Sequence, residues 1–84
     1  MLWNPRPAYP AEARRQGWEG IVKVRLKVGS DGRVIEARVA TSSSHATLDQ
    51  AALSALQRWR FAPRSLGSSV QEFVQEVVFR LDPR

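Results

Sequence analysis

The chain has 84 residues, 43% of them hydrophobic and 25% charged, with 13 Lys and Arg against 8 Asp and Glu for a formal charge of +5. This is the make-up of one small globular domain; it excludes a disordered chain, and no apolar run nears the roughly 20 residues of a membrane-spanning helix. Cysteine is absent, which rules out disulfides, thiolate nucleophiles and zinc–thiolate centres. The opening Met1-Leu2-Trp3-Asn4 lacks the apolar stretch and cleavage site of a secretory signal. Work outside the cytoplasm would therefore need targeting information from beyond this chain. The basic excess invites a nucleic-acid reading, but it is spread out. Residues 1–42 hold eight cations against four anions and residues 43–84 hold five against four.

Three prolines within Asn4-Pro5-Arg6-Pro7-Ala8-Tyr9-Pro10 bias the preceding residues away from helix, so an extended lead-in over residues 1–8 is expected. Pro10 suits the first turn of a short helix over about 10–16, and Gly17 suits its left-handed end. From Gly20 the period changes to two: Val22, Val24, Leu26 and Val28 alternate with Lys23, Arg25 and Lys27, as in a strand with one buried and one wet face. Gly29-Ser30-Asp31-Gly32 supplies a tight turn, and Arg33 to Thr41 returns as a second strand with Ile35, Ala37 and Val39 facing inward. A polar loop, Thr41 to Ala46, leads to a second helix with Thr47 and Gln50 as a capping box. Leu48, Ala51, Ala52, Ala55, Leu56 and Trp59 form its apolar face, and Pro63 is its stop. A Ser/Gly-rich loop, Arg64 to Ser69, precedes a third strand over about 70–81, with Phe73, Val77, Phe79 and Leu81 on one face.

The order αββαβ implies a two-layer α+β sandwich: a three-stranded antiparallel sheet in the order 2-1-3 with two helices on one face. The third strand then has a free edge that few charges protect. Such an edge is either a rail for an extended peptide or is covered by a terminal segment or a second copy. His45 reads as a solvated loop residue, since no Ser/His/Asp set or metal-ligand spacing accompanies it. Trp59 reads as core. Trp18 reads as a cap between the first helix and first strand, and Trp3 as exposed. The residues present no constellation for an enzyme, and none for a cofactor or metal.

Tyr9-Pro10, Glu19-Gly20, Asp31-Gly32-Arg33-Val34, the Ser42-Ser43-Ser44-His45 loop, Leu48-Asp49 with Ala51-Ala52, and Trp59-Arg60-Phe61-Ala62-Pro63 occur in the order of the TonB C-terminal domain. The chain resembles that family over about residues 5–82, as a single domain with a folded core over 9–82. The resemblance implies the periplasmic part of a Gram-negative energy transducer for uptake of compounds such as iron–siderophores. The inner-membrane anchor would be absent from this chain, and an ExbB/ExbD-like motor would act through it. The implied partner is the TonB box of an outer-membrane receptor, added as a strand along Phe73, Val74, Gln75, Glu76, Val77, Val78, Phe79 and Arg80, with a second contact at Asn4, Pro5, Arg6 and Pro7. Family members tend to carry Gln where this chain has Arg6. The implied state is a monomer or a strand-exchanged homodimer. The alternatives are a paralogue or membrane sensor with another peptide partner, and a basic nucleic-acid binder. The latter would want aromatic side chains on the open sheet face, where the phasing places none, so no nucleic-acid partner is expected.

Overall fold

The computed structural model describes residues 4–62 and 70–81. Its elements run α1 (Ala11–Gln16), β1 (Gly20–Val28), β2 (Val34–Thr41), α2 (Ala46–Leu56) and β3 (Gln71–Phe79). The strands form one antiparallel sheet in the order β2-β1-β3, as the element order implies.

The core follows from the alternation in β1. Val22, Val24, Leu26 and Val28 are all buried, and they pack with Leu48, Ala52, Ala55 and Leu56 of α2 and Ala13 of α1. Full burial of side chains of this size is worth roughly 1.5–3 kcal/mol each, and slipping β1 by one residue would turn all four to water. Both helices therefore lie against this face, and Lys23, Arg25 and Lys27 are left on the open one. There Lys27 Nζ is 3.2 Å from Glu36 Oε1. Arg25, by contrast, sits directly opposite Arg38, a like-charge pairing that costs on the order of 0.2–1 kcal/mol.

The β1–β3 register is continuous over nine pairs, from Gly20↔Phe79 to Val28↔Gln71. The β1–β2 register is broken twice, between Lys23 and Val24 and between Lys27 and Val28. The second break corrects the expectation for Ile35. Val28 pairs with Val34 while Lys27 pairs with Glu36, so Ile35 is the extra residue of a bulge. It is 58% exposed, and Val34 takes the place against the core.

Helix α2 departs from its expected ends. It starts at Ala46 with His45 as N-cap, and no side chain caps it; the Thr47/Gln50 capping box does not form. Asp49 reaches back into the loop instead. Its carboxylate accepts hydrogen bonds from Ser42 Oγ (2.5 Å), the Ser43 amide (2.9 Å) and Ser43 Oγ (2.8 Å). His45 is half-buried rather than solvated, and it stacks on Trp18 with ring centroids 4.9 Å apart. The helix ends at Leu56, well before Pro63. The amides of Gln57, Arg58 and Trp59 close its last turn on Leu53, Ala55 and Leu56. Trp59 is buried as expected, but from beyond the helix rather than from its apolar stripe. Phe61 also turns inward, and its amide donates to the Gly32 carbonyl at 2.9 Å. Pro63, the 64–69 loop and Trp3 lie outside the described residues.

Two glycines take left-handed backbone, Gly17 at φ +73° and Gly32 at φ +88°. A Cβ on Gly17 meets nothing within 4 Å, whereas one on Gly32 would stand 1.9 Å from the Phe61 carbonyl oxygen. Gly17→Ala should cost only the left-handed penalty, about 1–2 kcal/mol. Gly32→Ala should cost about 3–5 kcal/mol, because the chain after α2 must also move away. Urea midpoints of the two variants check this difference.

Partial burial pushes the Asp49 carboxyl up, but the hydrogen bonds from Ser42 and Ser43, helped by nearby His45, outweigh it and hold the pKa below the usual carboxylate value. A carboxyl depressed by folding adds stability that is present above the unfolded pKa and is lost as pH falls through the folded one. Asp49→Asn should be less stable than the parent at neutral pH. The gap should close as pH drops below about 4, as read from urea midpoints at a series of pH values.

Candidate functional site

The inner side of β3 is pinned by aromatic rings from both ends of the chain. Phe79 meets Tyr9 edge-to-face at 5.4 Å, and Phe73 meets Phe61 at 5.6 Å, with Trp59 a further 6.2 Å along. The Tyr9 hydroxyl donates to the Trp18 carbonyl. Burial, and after it the Glu19 charge, raise the Tyr9 pKa against the opposing effect of Arg14, which keeps this phenol a neutral donor. Past the end of β3, the Leu81 amide donates to Glu19 Oε2 at 2.7 Å. These contacts hold the strand without using its outer edge.

The proline-rich lead-in runs as an extended strap, tied where Trp59 Nε1 donates to the Pro5 carbonyl at 2.9 Å. Between this strap and the C-terminal half of β3 lies a groove of about 570 Å³ lined by Asn4, Arg6, Pro7, Tyr9, Trp59 and residues Glu76 to Arg80. A smaller hollow of about 240 Å³ adjoins it at Val78, Phe79 and Arg80 and reaches Glu19, Gly20 and Ile21.

Of the positions named from sequence, Asn4, Arg6, Pro7, Glu76, Val77, Val78, Phe79 and Arg80 meet at this groove. Phe73, Val74 and Gln75 continue the same strand beyond it, while Pro5 turns its carbonyl to Trp59. Tyr9 and Trp59 are also groove walls, although the sequence marks Trp59 only as core and Tyr9 only as part of the lead-in. Pro5 and Pro7 just before Tyr9 are the available signal, because an extended strap needs an anchor. The groove's charged side chains are Arg6, Arg80 and Glu76. Among the described residues no three metal-ligating side chains come together, and no helix is long and apolar enough to cross a membrane. The open sheet face carries no aromatic side chain: Phe73 and Phe79 pack inward.

Residues 5–81 match the family described as Gram-negative bacterial TonB protein C-terminal. The chain is 45% identical over 71 residues to Protein tonB2 of Pseudomonas aeruginosa, covering 84% of this chain and 26% of that protein. It is 31% identical over 81 residues to Protein TonB of Escherichia coli, covering 96% of this chain and 33% of that one. It thus spans about a quarter to a third of the length of these relatives. The solution structure of the Pseudomonas aeruginosa TonB C-terminal domain superposes with a TM-score of 0.84 at 33% identity, over 99% of this chain and 86% of that one. With the αββαβ order and the β2-β1-β3 sheet, these matches establish that the chain belongs to the TonB C-terminal domain family.

Proposed function

We propose that this chain is the periplasmic docking domain of a TonB-type energy transducer, a non-enzymatic module that takes the TonB box of an outer-membrane receptor as an added strand on the outer edge of β3. The observation that carries this reading is the edge itself: nine uninterrupted pairs on its inner side, no bulge, and a groove along its C-terminal half walled by the strap. The peptide would lie along Phe73 to Arg80, with Asn4 to Pro7 as the opposite wall. Four or five backbone hydrogen bonds at a net ~0.5–1.5 kcal/mol each, less the ordering of the peptide, support affinity on the order of micromolar. Paired strands loaded in shear share the load among their bonds, which suits transmission of force from a proton-driven, ExbB/ExbD-like motor in the inner membrane. Without peptide the same edge is open to a second copy, which would show as concentration-dependent sedimentation.

A receptor TonB-box peptide should shift the amide resonances of residues 72–80 most strongly. Shifts confined to Lys23, Arg25 and Arg38 would sink the proposal. Antiparallel strands send alternate amides to opposite sides, so Val74→Pro and Gln75→Pro should part company. One should keep the fold and lose the peptide, and the other should break its bond to β1 and lose stability, as read by thermal melting beside peptide titration.

The strap's wall depends on the Trp59 indole. Trp59→Phe keeps an aromatic ring against Phe61 but removes the donor to Pro5 together with part of the buried indole's volume. It should weaken TonB-box binding roughly two- to tenfold, the worth of one hydrogen bond, with the β1–β3 pairing intact in amide exchange. Isothermal titration of both proteins measures it.

A further inference from the structure

The open face of the sheet is organised in rows across β2, β1 and β3. Lys27 lies between Glu36 and Glu72, and Lys23 between Thr41 and Glu76, so each of these rows contains an acid. The row between them does not. Arg25 lies between Arg38 and Val74, with two guanidinium-bearing side chains directly opposed and their Cβ atoms about 4.5–5.5 Å apart by sheet geometry. Glu36 is shared: it pairs with Lys27 Nζ at 3.2 Å and more loosely with Arg38 Nε at 4.0 Å. Among the described residues no acidic group forms an ion pair with Arg25. One apolar side chain is exposed within this row, Val74 at 45%.

We propose that Arg25 and Arg38 receive one carboxylate from a partner protein segment that presents an acidic side chain next to a branched apolar one, forming a second docking surface on the open sheet face rather than along the β3 edge. Two planar guanidinium forks on neighbouring strands can both donate to a single carboxylate, which turns a repulsive pair into a satisfied one. Val74, in the same row, supplies the contact for the flanking apolar group. A long polyanion or an anionic bilayer fits this face poorly. Either would press negative charge onto Glu36 and Glu72 on one side of the row and Glu76 on the other, so a discrete carboxylate is the better complement.

The test uses the ¹⁵N-labelled chain at low ionic strength and two probes, acetyl-Ile-Glu-Val-amide and its Gln analogue. The Glu probe should shift the Nε–Hε signals of Arg25 and Arg38, with shifts at least several-fold larger than those from the Gln probe. Arg38→Gln removes the opposed charge, so its Tm should rise by about 1–6 °C, while its response to the Glu probe falls to that of the Gln probe. Equal responses to both probes, an undiminished response in Arg38→Gln, or a lowered Tm in that variant would each overturn the proposal. So would matching shifts from inorganic phosphate alone or from phosphatidylglycerol vesicles. Neither probe nor variant alters Arg6, Trp59 or Arg80, so a failure here leaves the TonB-box reading standing.

Discussion

The structure depends on β1 being paired along both sides while its four inward residues are fully buried. Among the described residues Val22, Val24, Leu26 and Val28 are the only run of four alternating side chains to reach the interior, and both helices are arranged to cover them. A strand with that pattern must be central. The chain then has two further strands and one long crossover to place, and each of those strands becomes an edge. The candidate docking edge is therefore a consequence of the core: burying β1 leaves β3 paired along one side, with no second strand on its other side among the described residues.

The two edges are not equivalent. The β2 edge is interrupted by two register breaks and by Ile35 thrown outward, and the chain after α2 closes on its start through the Arg33–Arg60 bridge. Bulges twist an edge and spoil its hydrogen-bond spacing, which is how proteins discourage unwanted pairing. β3 has no such interruption. It is kept straight from behind by Tyr9–Phe79 and Phe61–Phe73 contacts, so its outer groups stand at regular intervals without help from an occupant. A pre-formed rail reduces the ordering cost to that of the incoming peptide.

Much of this was legible in the sequence, for physical reasons that differ by element. The period-two run from Val22 to Val28 admits one strand and one register, and a helix between the second and third strands places the third beside the first. The ends of α2 were not legible. Thr47 and Gln50 have capping-box spacing, yet Asp49 satisfies loop donors from Ser42 and Ser43 instead, a competition that only the folded loop decides. The helix stops at Leu56 although helix-compatible residues continue to Trp59, because the inward turn of Trp59 and Phe61 outweighs further local hydrogen bonding. The Ile35 bulge was hidden because alternation continues through it in sequence while the pairing does not. At the site, the β3 edge and the strap positions followed from strand order and family resemblance. The walls did not: Trp59 is placed by a contact across 54 positions, to Pro5, and Tyr9 by its contacts to Trp18 and Phe79, which no local pattern encodes.

That long-range contact also explains how a proline-rich segment comes to have a defined place. Polyproline-like backbone has no internal hydrogen bonds and cannot hold itself against a sheet. Each proline removes a donor as well, so the strap offers mostly carbonyls. The indole of Trp59 is a donor without acceptor capacity, a complement to a carbonyl-rich strand, and it reaches Pro5 from the end of α2. The core tryptophan thus has two functions. Its ring fills the layer between helix and sheet, and its one polar atom fixes the groove's far wall. Among the described residues one hydrogen bond ties the strap at Pro5, while β3 is held by nine pairs and four aromatic side chains.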